Sequence, residues 1–212
     1  MSETKWVVSL LRHGEVHNPE RVLYGRLPGY HLSELGERQA ELAAAWLAAR
    51  DIGVIVSSPL ERAQQTAKPL ADALGLPVRI DERLIEADNY LQGRQVAGGK
   101  GLLSDARNWR YFGNPLRPSW GEPYREVALR VLAAARAAGE EAGEREAVCV
   151  THQLPIVAAR RYAEGKRLAH DPRKRQCALA SVTTLTFLAG EVVRVDYAEP
   201  AGATPRGGVA GA

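Results

Sequence analysis

Short apolar runs alternate along the chain with longer segments of helical periodicity. A continuous apolar run bounded by charged or turn residues is typical of a strand buried on both faces of a sheet. Such runs predict strands at 6–11, 54–56, 78–80 and 147–151, and a closing hairpin over 181–188 and 192–197. Helical patterns lie between them at 33–50, 58–74, 123–142 and 154–165. The alternation predicts an α/β fold, a three-layer α/β/α sandwich around a mostly parallel mixed sheet.

The first two helices carry recognisable start and stop residues. Ser33 is a suitable N-cap for the first, and the hydroxyl of Ser58 with Pro59 in the first turn predicts the start of the second. Gly75 predicts its end. In the first helix five apolar residues fall near one face, which indicates the face turned towards the core: Leu35, Leu42, Ala45, Trp46 and Ala49.

We find no internal repeat and no domain boundary, so residues 1–198 are predicted to form one domain. Within it, residues 86–122 are irregular and contain an aromatic cluster between 109 and 120. Two interpretations of this insert stay open. It either packs over the sheet, or it forms a lid whose Arg107, Arg110 and Arg117 meet the substrate. The tail, residues 199–212, is rich in Gly, Ala and Pro and is expected to be disordered.

Composition excludes several classes of protein. With 45% hydrophobic and 25% charged residues, the chain is neither disordered nor collagen-like. Its formal charge of +3 argues against a nucleic-acid partner but leaves room for a local anion site. No segment approaches the roughly 20 apolar residues of a membrane span. Two cysteines without CxxC spacing fit a reducing compartment, so we expect a soluble, cytoplasmic protein. The oligomeric state stays open, a homo-oligomer included.

Basic and imidazole side chains recur where predicted strands end or helices begin. Arg12 and His13 follow the first strand, Arg62 lies at the start of a helix, and His152 and Gln153 follow a later strand. Open α/β sheets gather their sites beyond the carboxyl ends of their strands, where helix N-termini add a positive dipole. These residues predict an anion pocket, with phosphate as the obvious ligand. No dinucleotide-binding or P-loop motif is present.

At these positions the sequence resembles the histidine phosphatase superfamily, which includes the cofactor-dependent phosphoglycerate mutases. The segments that carry the resemblance are 11–15 (LRHGE), 32–36 (LSELG), 57–67 (SSPLERAQQTA), 84–86 (LIE), 121–122 (GE) and 150–152 (VTH). The tripeptide RHG alone is a weak signal. The order of the segments, each at an expected element boundary, makes the resemblance specific, and it implies a phosphoglycerate mutase-like fold.

The resemblance also implies a mechanism. His13 would attack phosphorus in line and become phosphohistidine, while Arg12, Arg62 and His152 hold the phosphoryl oxygens. Asn18 would be a neutral donor to the same group. The residue types agree with this scheme, because a neutral imidazole is a nucleophile and an adjacent Arg disfavours its charged form. No metal or other cofactor is implied, since the Arg and His groups supply the electrostatic stabilisation.

Several acidic residues compete for the role of general acid. The resemblance implies Glu86, which would protonate the leaving alcohol and then deprotonate the incoming water. That role requires a raised pKa. Nearby Asp81, Glu82 and Asp88 are alternatives.

Two further polar residues are candidates for substrate recognition, and one possible metal site is disfavoured. Arg21 and Gln153 are candidates for substrate specificity, and Gln153 stands where the family usually has Gly. A zinc site made of His13, His17 and Glu15 is disfavoured, because a Gly/Pro loop does not place two imidazoles as a helix does.

The sequence therefore predicts a metal-independent hydrolase of the histidine acid phosphatase type, acting on a small phosphorylated metabolite. One alternative is a phosphoglycerate-type phosphomutase, which returns the phosphoryl group to the product. A second is a non-catalytic module that binds phosphate esters, against which the presence of both His, both Arg and a candidate acid argues.

Overall fold

The computed structural model describes residues 5–95 and 121–202. Along this part of the chain the helices and strands are β1 (Lys5–Arg12), α1 (Glu34–Ala48), β2 (Ile52–Ser57), α2 (Glu61–Leu74), β3 (Val78–Ile80), α3 (Tyr124–Ala142), β4 (Glu146–Thr151), α4 (Gln153–Ala163), β5 (Val182–Leu188) and β6 (Glu191–Ala198). Every helix and strand predicted from the sequence is present, with shifts of a few residues at the ends.

The six strands form one mixed sheet in the order β3-β2-β4-β1-β5-β6. The first four strands in this order run parallel, whereas β5 is antiparallel to β1 and pairs with β6 as a hairpin. Alternate residues of the strands face opposite layers. Val8 and Leu10 pack with α3 and α4, and Leu11 packs with α1 and α2. The predicted three-layer α/β/α architecture is confirmed.

The predicted core face of α1 is wrong. Leu35, Leu42 and Trp46 are 39%, 51% and 40% exposed, and the buried face carries mainly small residues: Gly36, Gln39, Ala40, Ala43, Ala44 and Leu47. Small side chains let α1 approach its neighbours closely. Gly36 shows how closely, because a Cβ at that position would overlap the carbonyl oxygen of Glu15. Close packing thus outweighs the larger apolar side chains in choosing the face.

The helix boundaries confirm two of the three start and stop residues. Ser33 caps α1 by accepting a hydrogen bond from the Gly36 N–H, and Gly75 ends α2 in the left-handed conformation, with φ 64°. The predicted start of α2 is wrong: Leu60 is the N-cap residue and makes no side-chain cap. The Ser58 hydroxyl is instead held 2.8 Å from a ring nitrogen of His152.

Two predicted features fall wholly or partly outside the described residues. The aromatic cluster within 109–120 and the three arginines assigned to a lid lie between the described ranges. Of the predicted disordered tail, residues 199–202 are described, and there Ala201 packs against the core on the α1–α2 side. None of the described helices is long and apolar enough to cross a membrane.

Candidate active site

The pairing of β1 with β4 brings two histidines together at the carboxyl edge of the sheet. Arg12 is in register with Thr151, and each strand ends there. His13 and His152 are therefore the first residues beyond two adjacent strand ends. The His13 backbone N–H bonds to the Thr151 carbonyl at 3.1 Å, and the two imidazole ring centroids are 5.2 Å apart.

His13 is arranged as a neutral nucleophile. The ring is fully buried, and Nδ1 lies 2.7 Å from the Gly14 carbonyl oxygen. A carbonyl only accepts, so Nδ1 carries the proton and Nε2 keeps its lone pair. Burial lowers the pKa of His13 well below its usual value, and the charges of Arg62 and Arg12 lower it further. The imidazole is thus uncharged near neutral pH, with Nε2 as its reactive atom.

His152 is held by Ser58, a residue that the sequence analysis assigned to a helix start and not to the site. The Ser58 hydroxyl accepts the Leu60 N–H at 3.4 Å and lies 2.8 Å from His152 Nε2. A hydroxyl both donates and accepts, so it can donate to His152 Nε2, and in that tautomer Nδ1 is a donor. Burial, with the nearby charge of Arg62, lowers the pKa of His152 well below its usual value. The sequence does contain a signal for this contact. Ser58 directly follows β2, and β2 pairs with β4, the strand that His152 follows.

Arg12 and Arg62 are buried with most of their hydrogen-bonding capacity unused. Arg12 Nη1 donates to the Cys177 carbonyl at 2.6 Å, and Arg62 Nη2 donates to the Gly25 carbonyl at 2.6 Å. The Arg62 guanidinium also lies over the Tyr24 ring, 4.7 Å from its centroid. Burial lowers the pKa of Arg62. These contacts orient each guanidinium without neutralising its charge.

Unpartnered polar atoms concentrate on the residues predicted to bind phosphate. We call Arg12, His13, Arg62 and His152 the cradle. In the described part of the chain, seven buried side-chain N or O atoms lack a hydrogen-bond partner. Five belong to the cradle: Arg12 Nε, His13 Nε2, Arg62 Nε, Arg62 Nη1 and His152 Nδ1. Buried polar groups are normally satisfied, so such a cluster of exceptions marks a ligand site. The donors and charges suit a tetrahedral oxyanion.

A sixth unpartnered atom is Glu86 Oε2, which favours Glu86 as the general acid. The other oxygen, Oε1, accepts the Ala87 N–H at 2.8 Å. Burial raises the pKa of Glu86 in spite of that bond and the charge of Arg62. Of the alternatives, Asp81 is bound by Arg83, Glu82 is exposed, and Asp88 is half-buried and accepts the Asn89 N–H at 2.9 Å.

A second cluster of charges braces the backbone around Glu86. Glu122 accepts hydrogen bonds from Arg26 at 2.9 Å and from Arg130 at 2.8 and 3.0 Å. Both arginines also donate to the Glu86 carbonyl, at 2.7 and 3.3 Å, and Arg130 donates to the Ile85 carbonyl at 2.7 Å. We call Arg26, Glu122 and Arg130 the brace. These contacts hold the main chain at Glu86. The resemblance of short sequence segments could not predict them.

The remaining predicted binding residues are placed differently from one another. The Asn18 side chain donates from Nδ2 to the Val22 carbonyl at 2.8 Å and accepts the Val22 N–H at Oδ1 at 3.0 Å, which leaves one Nδ2 hydrogen unused. Arg21 is exposed, and the structure does not bring its side chain into the cradle. Gln153 does reach the site, because its Nε2 donates to the Cys177 carbonyl, as Arg12 does.

Two further observations complete the site. A Cβ on Gly14 would overlap the Gly36 carbonyl oxygen, which explains why glycine follows His13. His17 is exposed, and residues 5–95 and 121–202 contain no group of three or more His, Cys, Asp or Glu side chains placed to hold a metal ion.

With this fold and this cradle, the chain belongs to the histidine phosphatase superfamily, whose branch 1 family model matches residues 8–199. "Uncharacterized protein Rv0525" of Mycobacterium tuberculosis (strain ATCC 25618 / H37Rv) is 50% identical over 194 residues, covering 92% of this chain and 96% of that one. "Probable phosphoglycerate mutase GpmB" of Yersinia enterocolitica is 41% identical over 105 residues, 49% of this chain and 47% of that protein.

A solved structure resembles the chain over nearly its whole length. It is the mycobacterial glucosyl-3-phosphoglycerate phosphatase Rv2419c in complex with VO3, at 31% identity and a TM-score of 0.72, covering 91% of this chain and 97% of that one. Family and structural neighbour together support phosphatase activity in general.

Proposed function

We propose that the protein is a phosphomonoesterase that hydrolyses a small organic phosphate through a covalent phosphohistidine at His13. The observation that carries the proposal is the convergence of five unpartnered buried polar atoms on Arg12, His13, Arg62 and His152. One of them is the nucleophilic Nε2, and the other four are N–H donors. Such a set supplies both the attacking atom and the groups that stabilise phosphoryl charge.

In the first half-reaction, the lone pair of His13 Nε2 forms a bond to phosphorus while the ester P–O bond breaks. The leaving oxygen takes the proton of Glu86 Oε2, so the alcohol departs neutral and Glu86 becomes a carboxylate. The developing imidazolium charge is stabilised by the Nδ1–H bond to the Gly14 carbonyl.

In the second half-reaction, the Glu86 carboxylate takes a proton from water as the water oxygen attacks phosphorus. The P–N bond breaks, its electron pair returns to His13 Nε2, and inorganic phosphate leaves. Throughout, Arg12, Arg62 and His152 Nδ1 donate to the three phosphoryl oxygens. Each such donor typically contributes about 10²–10³ in rate. The scheme requires no metal ion, because the two guanidinium groups provide the positive charge.

Trapping of the covalent intermediate tests the proposal. Brief incubation with a ³²P-labelled ester followed by denaturation at alkaline pH should leave acid-labile label on wild type. His13→Ala should abolish the label and lower turnover by more than about 10³-fold. His17→Ala is the matched control, because His17 is exposed and outside the cradle. Binding of phosphate esters by wild type without any label at His13 would instead establish a non-catalytic binding module.

The leaving group tests the role of Glu86. Glu86→Gln should slow hydrolysis of sugar phosphates by about 10²-fold or more, but that of nitrophenyl phosphate far less, because nitrophenolate departs without a proton. Glu82→Gln is the matched control, since Glu82 is exposed close by. Equal losses on both substrates would move the acid role to another residue.

A phosphoglycerate-type mutase is the second candidate, favoured by the 41% identity to the probable phosphoglycerate mutase GpmB. Incubation with 3-phosphoglycerate separates the two, because isomer without free phosphate contradicts the phosphatase.

We further propose that residues 1–198 form one catalytic domain and that the protein acts in the cytoplasm, where the buried cysteines Cys149 and Cys177 stay reduced. Activity unchanged by a metal chelator is the expected result for metal independence.

A further inference from the structure

Arg175 is a partly buried cation whose hydrogen-bond partners are neutral. It lies between the short 3₁₀ turn Pro172–Lys174 and β5. Its Nε donates to His170 Nε2 at 3.0 Å and its Nη1 donates to Gln153 Oε1 at 3.3 Å. Among the described residues no carboxylate forms an ion pair with it. Arg26 and Arg130, by contrast, share Glu122.

The imidazole beside Arg175 is fixed as an acceptor. His170 Nδ1 lies 2.5 Å from the Leu168 carbonyl, so Nδ1 carries the proton and Nε2 offers its lone pair to Arg175. Burial lowers the pKa of His170, which keeps this ring neutral. The arrangement positions the guanidinium without an ion pair. Partial burial of a cation that has no ion-pair partner costs free energy, which favours an anionic ligand at this position.

A chain of hydrogen bonds connects Arg175 to the cradle. Gln153 accepts from Arg175 and donates to the Cys177 carbonyl at 3.3 Å. The same carbonyl accepts Arg12 Nη1 at 2.6 Å. Arg175 is therefore one side chain away from a phosphate-binding arginine.

Arg175 also lies on the side of the general acid. Its charge acts on Glu86, where it opposes the effect of burial on the Glu86 pKa. The Tyr124 ring lies tilted by 39° against His170, the partner of Arg175, with the ring centroids 5.6 Å apart. Tyr124 also lines a cleft together with Glu86 and Leu154. Because Glu86 protonates the leaving oxygen, this is the side on which the alcohol half of the ester must lie.

We propose that Arg175 binds a second anionic group, a carboxylate or a further phosphate, on the alcohol half of the substrate. The preferred substrates are then phosphate monoesters of acidic alcohols rather than of neutral ones. Arg175 and Gln153 act as specificity residues, and the reaction centre stays the cradle with Glu86. This inference rests on the proposed phosphatase function, which nitrophenyl phosphate reports independently because it carries no second anion.

Paired esters test the inference. One pair is 3-phosphoglycerate against glycerol 3-phosphate, which differ by a carboxylate. The other is fructose 1,6-bisphosphate against fructose 6-phosphate, which differ by a phosphate. For wild type we expect kcat/KM to be at least about 10-fold higher for the member of one pair that carries the second anionic group, since a charge-assisted hydrogen bond is at stake. The pair that shows the preference identifies the second anion.

Variants assign the preference to Arg175. Arg175→Gln should lower kcat/KM for the preferred ester by about 10- to 100-fold and change it less than about threefold for nitrophenyl phosphate. Arg175→Lys should recover part of the preference, which a merely structural role would not predict. Arg194→Gln is the control, because Arg194 is an exposed residue of β6 paired with Asp196. Circular dichroism and thermal unfolding establish that each variant is folded.

The outcomes separate the two proposals. Equal kcat/KM within both pairs, or an equal loss on all substrates in Arg175→Gln and Arg175→Lys, overturns the inference while nitrophenyl phosphate hydrolysis and His13 labelling leave the phosphatase intact. No phosphate release from any ester, nitrophenyl phosphate included, contradicts the proposed function and the inference with it.

Discussion

Two pairs of arginines in this protein have the same chemistry and opposite surroundings. Arg12 and Arg62 belong to the cradle, where each is oriented by one carbonyl and keeps at least one unpartnered nitrogen. Arg26 and Arg130 belong to the brace, where both pair with Glu122 and also donate to main-chain carbonyls. The first pair lacks a carboxylate partner, whereas the second shares one, and every side-chain nitrogen of Arg130 is hydrogen-bonded.

The difference shows how to separate a binding cation from a structural one. A saturated guanidinium has no capacity left for a ligand, and its removal leaves its partners unpaired. An under-satisfied buried guanidinium costs stability by itself, and that cost is offset when an anion binds. The two pairs should therefore respond oppositely to substitution, one in rate and the other in stability.

Substitution in the cradle should have the largest effect. Arg62→Gln removes two unpartnered donors and a charge that face the phosphoryl group, so we expect kcat/KM to fall by about 10²–10³-fold. The free energy of unfolding should fall less than in a brace variant, because an uncompensated buried charge is removed as well. Steady-state kinetics with nitrophenyl phosphate and urea unfolding measure the two quantities. A loss of stability without a loss of rate would reverse the assignment.

Substitution in the brace should act mainly on stability. Glu122→Gln leaves Arg26 and Arg130 without their counter-charge, and we expect the free energy of unfolding to fall by about 1–3 kcal/mol. Activity should decline only modestly, and more for sugar phosphates than for nitrophenyl phosphate, because the loosened backbone carries Glu86. Glu126→Gln, in the exposed first turn of α3, is the control. A rate loss as large as that of Arg62→Gln would place Glu122 in the chemistry.

Acidification should have the smallest effect per group. Burial holds the pKa of His13 and of His152 below the 6.5 of an unfolded histidine. Below pH 6.5 the unfolded chain thus binds more protons, and the free energy of unfolding falls as the pH drops. Burial raises the pKa of Glu86 above 4.5, which acts the other way, since stability is lost as the pH rises through that raised pKa.

Variants separate these opposing contributions. His152→Asn should flatten the loss of stability between pH 6.5 and about 5, and Glu86→Gln should steepen it. One group contributes at most about 1.4 kcal/mol per pH unit. Urea unfolding at a series of pH values measures the slopes, with His17→Asn as the control. The contribution of the brace to the free energy of unfolding should be lost at lower pH, because the hydrogen bonds from Arg130 outweigh the effect of burial and lower the pKa of Glu122. Identical slopes in wild type and both variants would contradict the assigned burial effects.

Much of the fold was predictable because its signals are local. Apolar runs located the strands, and Ser33 and Gly75 marked helix ends through bonds and backbone angles within a few residues. The buried face of α1 was not predictable in this way. Its small residues face the core because neighbouring backbone comes close, at Glu15 for Gly36, and side-chain size alone suggested the opposite face.

The candidate site divides in the same manner. His13 and His152 were predictable neighbours, since each follows a strand end and the strand order was limited by the α/β pattern. The partners of Ser58 and of Arg26 were not, because they are far away in the chain. Ser58 meets a histidine 94 residues later, and Arg26 meets a glutamate 96 residues later.

By itself the sequence determined which chemical groups are present and that they collect at one edge of a parallel sheet. Residue types and element boundaries suffice for that. Only the tertiary structure decided which of those groups keep free hydrogen-bonding atoms. Arg12, Arg62 and Arg130 cannot be distinguished by residue type. They differ in the acceptor that folding brings within 3 Å, which is a single carbonyl for each of the first two and the Glu122 carboxylate for the third. Hydrogen bonding is short-ranged, so it is fixed only when distant segments meet.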